Sequence, residues 1–254
     1  MTDTFDHLAR QVRRRLELEQ QFGIEFDPGG AGAKKGSKKK EAPPSNGGGQ
    51  TPYPDREPGR ERDLDRVSGE RAGQLAGLEQ EMIDCHACPL GATRTNLVFG
   101  VGDPEARLVF VGEAPGEDED LQGIPFVGRA GQLLTRIILN GMKMRREDVY
   151  ICNIIKCRPP GNRNPSASEI FRCLPFVERQ LEIIQPKVIC ALGAVAAQAL
   201  LNTDEPIGRL RGRWHDWRGI PMMVTYHTAY LLRTPAAKPK VWGDIKQVMA
   251  RLAQ

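Results

Sequence analysis

Along residues 74–254, short apolar runs alternate with stretches whose apolar residues recur every three or four positions, the pattern of strands and helices taking turns. The clearest run is Leu108, Val109, Phe110, Val111, closed at once by Gly112 and followed by EAPGEDED, a turn of glycine, proline and carboxylates. Four continuous apolar residues fit a strand covered on both faces, so chemistry is expected directly after it. A second glycine turn at 128–131 leads into Leu133, Leu134, Ile137 and Ile138 at helical spacing, which makes strand, loop and helix one βα unit. Further strands are predicted over 149–155, 188–193 and 221–226. Helices are predicted over 166–184, after 193 and around 241–252, with a last loop, HTAYLLR, over 227–233. The alternation predicts an α/β domain with a mainly parallel sheet.

Before residue 74 the pattern changes. Phe5, Leu8, Val12 and Leu16 recur at helical spacing, predicting an amphipathic helix within 1–26 that docks on a protein partner or on the folded domain. Residues 27–73 are Gly-, Pro- and Lys-rich, with AGAKKGSKKK and SNGGGQ, and read as a disordered linker. The folded domain is therefore expected over 74–254.

Composition narrows the class. The 254 residues are 40% hydrophobic and 27% charged, with no run long enough for a membrane span and no signal peptide at MTDTFDHLARQVRRR. A soluble, cytoplasmic monomer is the expectation. The net charge of +4 belongs to the folded part, because residues 1–80 carry equal numbers of basic and acidic side chains. Lys156, Arg158 and Arg163 form one basic group, and Arg209, Arg211, Arg213 and Arg218 another; each suits a nucleic-acid phosphate or merely a solvated face.

Six cysteines fall into two sets. Cys152 and Cys190 lie inside apolar strands, as small hydrophobes do. Cys85 and Cys88 are a C-x2-C pair, with Cys157 and Cys173 far along the chain, a set able to close a tetrahedral thiolate site for zinc or a four-iron four-sulfur cluster. Spacing leaves the metal open. A redox dithiol at Cys85 and Cys88 is disfavoured because the pair precedes the first strand rather than following one.

The segments GEAPGEDEDLQGIPFVGRAGQLLT, VYICNIIKCRPPGNRNP and YHTAYLLR, together with the four-cysteine spacing, resemble the family 4 uracil-DNA glycosylases, the iron-sulfur type, over residues 75–254. The resemblance implies a three-layer α/β/α domain around a four-stranded parallel sheet. It also implies one structural 4Fe-4S cluster on Cys85, Cys88, Cys157 and Cys173, and excision of uracil from single- or double-stranded DNA. By the same resemblance Gly112, Ala114, Phe126 and Asn153 form the uracil pocket, Phe126 by stacking and Asn153 by reading the base edge. His227 faces the uracil O2, and Glu113 sits beside the sugar. Leu231 and Leu232 are wedge candidates, and Arg233 a phosphate contact. Ala114 stands where family 1 relatives carry Asp, which removes a general base there, and one departure from the family pattern is visible: Thr228 replaces the usual proline after the histidine. The acids at 117–120 lie close enough in the chain to help exclude the thymine methyl.

Two other classes compete with this reading. A uracil-DNA-binding protein of the same superfamily, without turnover, needs a histidine on an inserted loop, and none of His7, His86, His215 and His227 lies in one. An iron-sulfur redox protein leaves the pocket motif unexplained.

Overall fold

The structure, a computed structural model, describes residues 58–254, with side chains from residue 69 onward. The amphipathic helix expected within 1–26 and the linker as far as residue 57 lie outside the described residues. Helix α1 (Pro58–Ile83) starts inside the stretch read as linker. Its charged composition hid it from a reading based on apolar periodicity.

Among the described residues six strands form one sheet: β1 (Val101–Gly102), β2 (Leu108–Gly112), β3 (Tyr150–Asn153), β4 (Val188–Leu192), β5 (Trp214–Trp217) and β6 (Ile220–Thr225), in the order β1-β3-β2-β4-β6-β5. The four central strands are parallel, as expected, and β1 and β5 add antiparallel edges. The expected four-stranded sheet is thus the core of a mixed six-stranded one. β1 is only two residues long, and β5 (WHDW) has no apolar run, with Trp214 and Asp216 exposed. β5 and β6 are joined by Arg218 and Gly219, both at positive φ (50° and 85°), the two-residue hairpin turn that suits the twist of the strands.

Every residue of β2, β3 and β4 is buried, and alternate residues face opposite layers. Val109 and Val111 join one core with Ile189 and Ala191, covered by α1, α4 (Ala167–Ile184) and α5 (Ala194–Leu201). Leu108 and Phe110 join the other, covered by α3 (Arg129–Arg136) and α8 (Lys238–Leu252). This is the three-layer α/β/α arrangement, held by burial worth about 1.5–3 kcal/mol for each large apolar side chain. Two short helices complete it before α8, α6 (Ile207–Leu210) and α7 (Thr228–Arg233). The segment HTAYLLR, expected as a loop, is therefore the helix α7 with His227 as its cap. Between β2 and α3 lies one more short helix, α2 (Glu117–Gln122).

α1 is tied to α4 at both ends of their contact. Arg71 Nη1 donates to the Ile184 carbonyl at 3.0 Å, and Arg179 makes a paired contact with Glu81 at 2.6 and 2.8 Å. α4 starts with a reciprocal cap in which Glu169 N donates to Ser166 Oγ and Ser166 N to Glu169 Oε2.

Candidate active site

The loops that leave β2, β3 and β6 surround a cavity of about 400 Å³ at the carboxyl edge of the sheet. Its walls include Glu113, Ala114, Phe126, Asn153, His227 and Arg233. Pairing continues past the strand ends, since Ile154 N donates to Gly112 O and Ile155 N to Glu113 O, both at 2.9 Å. Asn153 is thereby paired with Gly112, and Glu113 follows one step along the same ladder.

Gly112 does not line the cavity but makes room in it. A Cβ there would stand 2.4 Å from Asn153 Oδ1 and 2.5 Å from Phe126 Cζ, so only glycine lets the amide and the ring meet. Phe126 is buried, takes a left-handed backbone (φ 56°) and holds its ring 5.5 Å from the His227 ring. Asn153 is 1% exposed, and its Oδ1 is buried with no hydrogen-bond partner among the described residues. A buried acceptor without a partner is costly, and here it borders an open cavity: the floor is built for an N–H donor from a ligand.

Glu119 fixes the shape of this pocket. Its Oε1 accepts the Val127 and Gly128 N–H groups at 2.9 Å each, and its Oε2 accepts Gly116 N–H at 3.1 Å. One carboxylate thus clamps the turn after β2 to the segment that carries Phe126. Glu119→Ala is expected to destabilise the fold by about 2 kcal/mol, by orphaning three N–H groups, and to lower activity in step. A thermal melt with a parallel activity assay checks both. Of the acids expected near the base, Asp120 is also structural, accepting Thr95 N–H at 2.9 Å.

His227 caps α7, and its Nδ1 accepts the Ala229 N–H at 3.2 Å. In the neutral ring the proton therefore sits on Nε2. Burial, and then the charge of Arg233, lower its pKa to about 4. A Cβ at Gly193, itself at φ 94°, would stand 3.0 Å from the His227 Cβ, so the turn after β4 props the histidine from behind. Two residues before it, Thr225 Oγ1 donates to Asp244 Oδ2 at 2.6 Å, and Arg211 pairs with the same carboxylate. Glu113 is half-buried, and desolvation raises its carboxyl above the ordinary range.

Thr228 is 1% exposed with its Oγ1 buried and without a partner among the described residues, and it occupies the first position of α7, which proline favours. Thr228→Pro is therefore expected to raise stability by about 1 kcal/mol and to leave activity intact, as a denaturation curve will show.

The wedge candidates separate. Leu231 is 2% exposed and packs into the core of the α3 and α8 face, which removes it from that role, whereas Leu232 is 37% exposed. Neither lines the cavity, but Arg233 does. Sequence reasoning passed over Tyr230, Asn162 and Asn164 in the wall, and placed Arg163 only in a basic group. Their one sequence signal is position, in the segments that follow β3 and β6. Arg163 is held by Glu169 at 2.9 and 2.7 Å, and this pair pulls the Glu169 carboxyl down to about 2.

Cys85, Cys88, Cys157 and Cys173 gather against the core on the α1 and α4 side, whereas Cys152 and Cys190 are buried in their strands. Among the described residues no three His, Cys, Asp or Glu side chains already close round a point that would hold an ion. The donor set nevertheless fits a thiolate-held centre. The Cys157 thiol feels Cys88 and Cys85, and the Cys173 thiol, pushed up to about 12 by burial, feels Cys157 and Cys88. Arg94 Nη1 also donates to Cys157 Sγ at 3.3 Å, the contact a thiolate would accept.

Residues 99–246 match the uracil DNA glycosylase superfamily. The chain is similar to the type-4 uracil-DNA glycosylase of Archaeoglobus fulgidus, 43% identical over 182 residues, covering 68% of this chain and 91% of that protein. It is also similar to the type-4 uracil-DNA glycosylase of Thermotoga maritima, 52% identical over 151 residues, covering 59% of this chain and 78% of that one. The type-5 uracil-DNA glycosylase of Thermus thermophilus is more distant, 35% identical over 118 residues, covering 41% and 53% of the two chains. No helix among the described residues is long and apolar enough to cross a membrane.

Proposed function

The chain belongs to the type-4 uracil-DNA glycosylases, and from that membership and its pocket we propose that it removes uracil from DNA by hydrolysing the N-glycosidic bond, leaving an abasic site for base excision repair. The observation that carries the reading is the unpartnered Asn153 Oδ1 at the floor of the cavity. Uracil presents an N3–H donor beside an O4 acceptor, which one amide meets through Oδ1 and Nδ2; cytosine presents the reverse.

The base must leave the stack to reach Asn153. Phe126 supplies a face for the extruded ring, and Leu232, exposed on α7, fills the gap it leaves. Arg233 and Arg163, with Arg158 beside them, take the backbone phosphates. As the bond breaks, the sugar becomes cationic and the base anionic. His227 Nε2–H donates to the uracil O2 and stabilises the leaving anion. Glu113 lies beside the sugar, where a carboxylate favours the cation and orients water. With Ala114 in the neighbouring position, the leaving-group side carries more of the barrier.

Cys85, Cys88, Cys157 and Cys173 would hold a 4Fe-4S cluster, which supplies a crosslink between the end of α1, the segment after β3 and α4. That segment also carries Asn162, Arg163 and Asn164 to the cavity wall.

Purified protein incubated with a single-uracil oligonucleotide is expected to release free uracil and leave an alkali-labile site. Intact DNA after incubation with well-folded, metal-containing protein would overturn the assignment.

A further inference from the structure

Lys156 is a charged group that the pocket does not use. It is 0% exposed, and it sits between Asn153 and Cys157 on the segment that leaves β3. Its Nζ donates to Gln180 Oε1 at 2.5 Å and lies 5.8 Å from the centre of the Phe99 ring. Gln180 is spent in turn, donating to Tyr150 Oη at 3.0 Å and to Phe99 O at 3.2 Å. Burial disfavours the ammonium, and the Cys152, Cys173 and Cys157 thiols are the neighbours whose charge offsets it. An ammonium buried without an anion costs several kcal/mol, so this position calls for negative charge from the cysteines.

A second cation reaches the same cysteine set. Arg94 donates through Nη1 to Cys157 Sγ at 3.3 Å, and its Nη2 is anchored on the carbonyls of Met82, at 3.1 Å, and Ile83. Those carbonyls end α1, just before Cys85. Four thiolates around either Zn²⁺ or the dicationic form of a 4Fe-4S core leave a doubly negative centre, and one lysine with one arginine neutralises it.

We infer that Lys156 and Arg94 are the counter-cations of the cysteine centre, balancing its charge and so governing how firmly it retains metal and how readily it accepts an electron. The inference rests on reading Cys85, Cys88, Cys157 and Cys173 as ligands. It also gives Lys156 a positioning role, because loss of the centre leaves a buried, uncompensated cation a few residues from Asn153.

The test uses the full chain purified without oxygen, as wild type, Lys156→Met and Arg94→Met. Iron, acid-labile sulfide and zinc per chain are measured first. Each sample is then challenged with an iron or zinc chelator, and an iron-containing protein is titrated for its midpoint potential. Both variants are expected to lose metal about tenfold faster than wild type, in line with a lost buried charge pair, and an iron centre is expected to titrate at a lower potential. Wild-type retention and potential in both variants overturn the counter-cation role while leaving the centre standing. A wild type with none of the three overturns the centre and this inference together. Arg94 is only partly buried, so its variant carries the test should Lys156→Met fail to fold.

Discussion

Replacing His227 by alanine is expected to slow uracil excision about 10²- to 10³-fold, the cost of removing one donor aimed at a developing anion. The argument depends on which nitrogen holds the proton. Ala229 N–H already occupies Nδ1, so the neutral ring carries its proton on Nε2 and can donate from there without needing a second proton. A pKa lowered to about 4 keeps it in that form across the neutral range. Single-turnover rates should therefore stay level from about pH 5.5 to 8 as far as this residue is concerned. A rate that follows protonation near 6.5 would instead point to an imidazolium donor.

The same shift couples His227 to stability. Its folded pKa lies below the ordinary value of 6.5, so between 6.5 and about 4 the unfolded chain binds more proton than the folded one. Its contribution is complete above 6.5 and is lost as the pH falls toward 4. The alanine variant should show a flatter stability profile in that window, after allowing about 1 kcal/mol for the missing helix cap.

Asn153→Ala should cost still more activity, about 10³-fold or greater, because a pocket that reads a base by paired hydrogen bonds loses both at once. Stability should move the other way or not at all. Asn153 Oδ1 has no partner among the described residues, so its removal breaks no hydrogen bond among them and relieves a buried, unsatisfied acceptor. Activity and melting temperature measured on one preparation test the pair of outcomes. A large fall in melting temperature with a small fall in rate would mean that the amide supports the fold rather than the base.

The central strands were legible because β2, β3 and β4 are buried on both faces and read as unbroken apolar runs. The edges were not, since β1 is too short to carry a pattern and the exposed positions of β5 break one. α7 read as a loop for a related reason: six residues hold fewer than two helical turns. That misreading also made Leu231 and Leu232 look equivalent. The helix distinguishes them, turning Leu231 into the core of the α3 and α8 face and Leu232 outward. In the pocket, Glu113, Phe126, Asn153 and His227 were found through motif segments, and the sheet brings their loops together. Tyr230 and the wall beyond Cys157 were missed because side chains at a rim carry no periodic signal. The clamp by Glu119 was invisible for a different reason, since its partners are backbone groups, which every residue has.

The Thr225–Asp244–Arg211 contact has a consequence for the order in which the protein matures. Asp244 belongs to α8, which is synthesised after the histidine whose preceding strand it anchors. The strand end that leads into His227 therefore stays unanchored until α8 has docked, because Thr225 and Arg211 meet through the Asp244 carboxylate. In refolding, chains whose sheet has formed but whose α8 is still loose are expected to lag in activity behind their recovery of secondary structure.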